Sequence, residues 1–205
     1  MHILSVKLFN TVSNESPVLL AHAEDLSTLP FLARINGSAS EMLLFLSRTL
    51  AARTPKGSIE GCRDKNYVGW IYHKSNGLAG VVICDEDYEK RVALNLLHRC
   101  MEMYENAPSN WDWSTYEKDR KQPDTGIQEI LTKYQTPHDV DSIAKITKDL
   151  EETKTVLHES IDKMLERGEK IDKIVEKSQD LSRQSKQFYR KSKKLNSWCG
   201  SCCIS

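Results

Sequence analysis

The chain has 205 residues, of which 39% are hydrophobic and 28% charged, enough for one domain of ordinary size plus an appendage. Its 29 basic and 29 acidic residues cancel overall but not locally: residues 1–137 hold 15 and 17, residues 138–180 hold 8 and 12, and residues 181–205 hold 6 and none. A basic end of six charges is a thin case for nucleic acid and fits an anionic membrane leaflet better, while no run approaches the roughly 18 apolar residues of a membrane span and MHILSVKLFN has no signal-peptide pattern.

Residues 2–9 alternate Leu4, Val6 and Leu8 with Ser5 and Lys7, the period of a strand, and VLLAHAE at 18–24 reads as a second strand. Ser38 and Glu41 have the spacing of a capping box, which starts a helix that stops before Pro55. Its apolar stripe is Met42, Phe45, Leu46, Thr49 and Leu50. NYVGWIYHK and LAGVVIC, joined through Asn76-Gly77, read as a hairpin over 66–84 with a type I′ turn. Asp85, Glu86 and Asp87 precede a second helix that runs to Pro108, with Val92, Leu94, Leu96, Leu97 and Met101 on its apolar side. A short third helix near 125–135 leads into Pro137.

Cys62, Cys84 and Cys100 are read as small packing residues of a reduced, cytosolic protein. Six scattered histidines, with no Cys/His or Ser/His/Asp spacing, offer no catalytic set, metal site or cofactor site, and there is no phosphate-cradling G-x-x-x-x-G-K-[ST] loop. The chain is therefore read as a non-enzyme.

After Pro137 there is no further proline, no Phe, Tyr or Trp before Phe188, and only Gly168 before Gly200. Apolar or small residues recur at alternating spacings of three and four. The series is Ile143, Ile146, Leu150, Thr153, Leu157, Ser160, Met164, Arg167, Ile171, Ile174, Ser178, Leu181, Ser185, Phe188, Ser192 and Leu195. As one helix this register spans roughly 80 Å. A helix with so narrow a seam needs partner helices to be stable.

Arg167 stands in the middle of that seam, flanked by Met164 and Ile171 in unbroken register. Two readings are open: it snorkels to solvent, or it is buried among oxygen acceptors. A guanidinium has five donors and no acceptor, so neutral amides on three neighbouring helices would satisfy it, and any slip would leave a buried charge unpaired.

Residues 143–195 resemble the SNARE motif of the synaptobrevin-type R-SNAREs, with Arg167, in LERGEKID, at the central ionic layer. The stretch ETKTVLHESIDKMLERGEKIDKIVEKSQDLSRQSKQFYRKSKK is similar to the prenylated branch of that family, which lacks a membrane span. The resemblance implies an α+β chain. Residues 1–136 would form a profilin-like longin domain, an antiparallel sheet flanked by helices; 138–198 would form a long coiled-coil SNARE helix; and 199–205 would be a lipidation tail. It further implies partnership with three Q-SNARE helices in a four-helix bundle that drives vesicle fusion, and an autoinhibitory longin–SNARE contact within the chain. Met42, Phe45 and Leu46 are assigned to the longin groove that would receive the SNARE segment, with core packing as the competing role for Phe45.

The sequence ends Cys202-Cys203-Ile204-Ser205, a C-a-a-X pattern of the farnesyl type. Trp198 and the basic residues before it favour a membrane interface. Cys203 lies in the tripeptide that processing would remove, so the second lipid is assigned to Cys199, as palmitate or a second prenyl group, although Cys203 remains an alternative. Prenyl transferase and acyltransferase are the implied modifying partners. A zinc or redox reading of Cys199-x-x-Cys202 lacks a second ligand pair. The expected location is the cytosol and, through the lipid and basic tail, the cytoplasmic face of endomembranes: Golgi, ER-derived vesicles, endosome or vacuole. The alternative function is a prenylated trafficking adaptor whose coiled coil self-associates.

Overall fold

The computed structural model describes residues 1–12, 16–29, 37–64, 66–106, 112–120, 122–136, 153–165 and 170–194. In chain order the elements are β1 (Ile3–Asn10), β2 (Val18–Glu24), α1 (Ser38–Arg53), β3 (Ser58–Asp64), β4 (Tyr67–His73), β5 (Leu78–Asp85), α2 (Lys90–Glu105), α3 (Thr125–Tyr134), β6 (Thr155–His158), α4 (Ile161–Leu165), α5 (Ile171–Lys177) and α6 (Arg183–Lys194). A 3-10 turn at Trp113–Thr115 precedes α3.

The strands make one sheet of order β2-β1-β5-β4-β3-β6. Its first five strands are antiparallel neighbours, and β6 joins β3 in parallel. The architecture is α+β, as the sequence implied, with a mixed sheet in place of a purely antiparallel one. β3 was not legible in the sequence: SIEGCRD has Glu60 beside a central glycine and ends in Arg63-Asp64, so neither face shows a clean apolar period. β1 is buried along its whole length. Bulges in its ladders, at Ile3/Ser5 and Leu8/Phe9, re-aim its side chains so that both faces receive apolar residues.

One core lies between the sheet and α2 with α3, where Ile3, Val6, Leu8 and Val82 meet Leu96, Leu97, Ile127 and Tyr134. The second lies on the opposite face under α1, where Leu4, Phe9, Ile71 and Val81 meet Phe45, Leu46 and Leu50. Cys62, Cys84 and Cys100 are buried in these cores. Burial pushes the thiols of Cys62 and Cys100 up to about 12 and raises that of Cys84 as well, so none is a ready nucleophile.

Two local expectations are corrected. The 66–84 hairpin is present, but Lys74 and Leu78 still pair, and the turn bond runs from Gly77 N–H to the Lys74 carbonyl. The loop is therefore three residues, with Gly77 at φ 90°, rather than a two-residue type I′ turn. The Asn76 side chain accepts from Leu78 N–H, which favours the longer loop. The Ser38/Glu41 capping box does not form either: α1 is preceded by Gly37 in the left-handed region and has no side-chain cap. The Glu41 carboxylate is engaged elsewhere, by the C-terminal segment.

Candidate functional site: the docked C-terminal segment

Ten of the sixteen residues of α1 are buried, more than one sheet-facing stripe requires. The second cover is the chain's own C-terminal segment. β6 extends the sheet, and α4, α5, α6 and the connection between the last two contribute Ile161, Met164, Leu165, Ile171, Val175, Leu181 and Tyr189 to the core that contains Met42, Phe45 and Leu46. Those three α1 residues are 4%, 2% and 1% exposed. Phe45 belongs to one buried cluster with Ile71 and Val81 of the sheet and Ile171 and Val175 of the docked segment.

Among the described residues after 138, the helical character expected is present as three short helices and a strand instead of one rod. Without partner helices a narrow seam cannot be buried along a straight helix, and serines supply the breaks. The Ser160 hydroxyl accepts from Lys163 N–H at the start of α4, and Ser182 accepts from Ser185 N–H at the start of α6. Between α5 and α6, Ser178 is extended and its hydroxyl accepts from Asp180 N–H.

The seam residues are treated unequally. Met164, Ile171, Leu181 and Ser185 are buried; Ile174 and Phe188 are partly buried against the same core; Thr153, Ser160 and Ser178 are half-buried; Leu157 is 46% exposed. Four other docked residues, Ile161, Leu165, Val175 and Tyr189, are not seam positions. The sequence held a signal for them: Ile171/Val175 and Leu181/Ser185/Tyr189 repeat every four residues, a helix-docking stripe laid over the 3.5-residue seam. Ile143, Ile146, Leu150, Arg167, Leu195, Cys199, Cys202, Cys203 and the side chain of Ser192 lie outside the described residues.

Polar contacts fix the docked segment in register. Arg48 of α1 donates from Nε to Asp180 at 2.7 Å and from Nη2 to Asp119 at 2.6 Å, and also reaches the Pro17 carbonyl. Its guanidinium lies 5.8 Å from the Phe9 ring centroid. One side chain thus ties the docked segment to the loops before β2 and before α3. The Glu41 carboxylate accepts from Ser182 N–H at 2.8 Å; burial alone would raise its pKa, but the bonds from Ser185 and Ser182 outweigh this and lower it. Within the segment, Tyr189 donates to Asp172, and Arg190 and Lys186 reach the Glu176 carboxylate and carbonyl. A cleft of about 570 Å3 remains beside the clasp, lined by Pro17, Phe45, Arg48, Ile174 and Asp180 among others. Among the described residues no His, Cys, Asp and Glu cluster could hold a metal, and no helix is long and apolar enough to cross a membrane.

A sheet covered by one helix on one face and two on the other, followed by a heptad-patterned segment, has the organisation of a longin-type SNARE. Residues 31–123 match the sequence model of the Longin family, a regulated-SNARE-like domain, and residues 142–200 match that of the Synaptobrevin family. The chain is 38% identical to the Synaptobrevin homolog YKT6 of Eremothecium gossypii over 97% of its own length and 98% of the relative's. It is 38% identical to the VAMP-like protein YKT61 of Arabidopsis thaliana over 89% and 90% of the two chains. To the Synaptobrevin homolog YKT6 of Saccharomyces cerevisiae it is 36% identical, over 97% and 98%. The chain belongs to this family, the longin-type R-SNAREs without a transmembrane helix, which are vesicle-trafficking proteins and not enzymes.

Proposed function

We propose that residues 143–195 supply one helix to a four-helix bundle with three Q-SNARE helices, that Arg167 is its ionic layer, and that the docked conformation is the autoinhibited state of this R-SNARE. The observation that carries the reading is double use: Met164, Ile171 and Leu181 belong to the seam and are also buried on the longin face. They cannot serve both surfaces at once, so docking and bundle formation exclude each other. Met42, Phe45 and Leu46 line the face that competes with the partner helices.

The test is assembly of the full chain with three Q-SNARE helices. Arg167→Gln is expected to weaken the complex, because charge-assisted bonds worth about 1.5–3 kcal/mol are lost, and one Gln→Arg exchange on a partner helix should restore it. Normal assembly of Arg167→Gln would place the guanidinium in solvent. Self-association of the chain without Q-SNARE helices would instead favour the adaptor reading.

Membrane attachment on this reading uses farnesyl at Cys202, added by a prenyl transferase, and a second lipid at Cys199, added by an acyltransferase. One isoprenoid holds a membrane only marginally, so the second lipid and the basic tail select between the cytosol and the cytoplasmic face of Golgi, ER-derived, endosomal or vacuolar membranes. Cys202→Ser is expected to abolish both modifications in mass spectra of the mature C-terminus. Cys199→Ser should leave a farnesylated protein that fractionates mainly with cytosol. A mature chain ending at Ser205 with acyl on Cys203 would reverse the assignment.

A further inference from the structure

The C-terminal segment is held unevenly along its length. β6 is four residues long and, among the described residues, pairs on one side only, with Ile59–Cys62 of β3. It leaves Val156 36% and Leu157 46% exposed. Its side-chain tie across the ladder is His158, 3.2 Å from Glu60. Farther along, burial deepens: Met164, Ile171, Val175, Leu181 and Ser185 are all 5% exposed or less. The Arg48–Asp180 and Glu41–Ser182 bonds are in that part too. Local opening is easiest where few apolar contacts are buried and the backbone bonds face water, so the two ends of the docked segment differ in hold.

Leu157 is also a seam residue, one heptad before Met164 and two before Ile171. The docked form therefore leaves in water a seam side chain that a partner helix can engage in correct register.

We propose that the docked segment opens in two stages, with β6 as the entry site. β6 peels from β3 first and offers Val156 and Leu157 to the apolar seam of the Q-SNARE helices. The segment α4–α6 leaves second, as the growing bundle draws Met164, Ile171 and Leu181 off the longin face against the Arg48–Asp180 and Glu41–Ser182 latches. This inference rests on the R-SNARE reading above.

A staple tests it. His158 is the register partner of Cys62, and adjacent strands lie about 4.8 Å apart, within the Cα range of a disulfide. His158→Cys, with Cys199, Cys202 and Cys203 changed to serine, thus gives a reversible crosslink on β6 that leaves α4–α6 unaltered. The oxidised protein is expected to take up Q-SNARE helices at least tenfold more slowly than the reduced protein, while amide exchange in 171–177 and 183–190 stays the same. Asp180→Ala should do the opposite, leaving first capture at the wild-type rate and speeding exchange in 183–190. Independently of any staple or partner, wild-type amides of 155–158 should exchange at least tenfold faster than those of 171–177. Equal assembly rates for oxidised and reduced protein, or one exchange rate shared by β6, α5 and α6, would overturn the proposal. Early exchange of β6 in a chain that never binds Q-SNARE helices would remove the R-SNARE reading and the entry site with it, leaving the order of opening intact.

Discussion

Val175→Asp is expected to release the C-terminal segment without damaging its capacity to form a bundle. Val175 is fully buried in the core that α5 shares with α1 and the sheet. Losing its burial costs about 1.5–3 kcal/mol, and an unpaired carboxylate in that position adds several more. A combined shift of about 4 kcal/mol moves a docked-to-undocked equilibrium several hundredfold. Val175 is not one of the sixteen seam positions, so the partner surface of the helix is untouched. The variant should show rapid amide exchange through 171–190, an unchanged melting transition for the longin part, and faster assembly with Q-SNARE helices than wild type. Phe45→Glu is the less discriminating substitution, because Phe45 contributes to a core that includes Ile71 of the sheet as well as Val175, and a charge there loosens both. A Val175→Asp chain whose exchange matches wild type would mean that α5 is not held by this contact.

Lys7→Ala is expected to destabilise the whole fold by about 3–5 kcal/mol, the range for breaking one side of a buried ion pair. The Lys7 side chain is 1% exposed and bonds the Glu24 carboxylate, whose other oxygen accepts from the Ser40 hydroxyl of α1 at 2.6 Å. The pair spans β1 and β2 and anchors the start of α1 over them. Burial by itself would raise the Glu24 carboxyl, but the Lys7 charge and the bonds from Lys7 and Ser40 outweigh it and hold the carboxyl below its ordinary value. The folded pKa is therefore below the unfolded value of about 4.3. The stability it contributes is complete above that value and is lost as pH falls through the folded pKa. In Lys7→Ala the Lys7 contribution is gone and burial raises the carboxyl instead. The gap between wild type and variant should thus be widest near neutral pH and shrink as pH falls, first as the raised carboxyl of the variant protonates and then as wild type passes its lowered folded pKa, read by urea unfolding across that range. The double substitution Lys7→Met with Glu24→Met should recover most of the loss, since no unpaired charge remains. An unchanged unfolding midpoint for Lys7→Ala would show that the pair contributes nothing net.

The roles of Lys7 and Phe45 mark the boundary between what the sequence carries and what the fold adds. Alternation in 2–9 located β1, but it set Lys7 among the residues opposed to the apolar face; only the bulged ladders and the cover of α1 bury that side chain and require Glu24 beside it. The wide apolar stripe of α1 made Met42, Phe45 and Leu46 visible as a surface that needs covering, and only the family resemblance named the SNARE segment as its cover. Glu60, the central glycine and the Arg63-Asp64 end of 58–64 concealed β3, and with it the edge on which β6 docks.

By itself the sequence determined the order of elements in the first 136 residues apart from β3, because periods of two and 3.6 and the turn residues are local properties. It also determined the 3.5-residue seam from Ile143 to Leu195 with Arg167 at its centre, since a heptad pattern needs only one chain to be read. The resemblance implied a fold-back, and tertiary structure alone decided its form, with part of this seam laid down as β6, α4, α5 and α6. That outcome depends on a competition between two burial surfaces, the longin face and absent partner helices, for Met164, Ile171 and Leu181. It also depends on contacts such as Arg48 to Asp180, 132 residues apart, which no local pattern encodes.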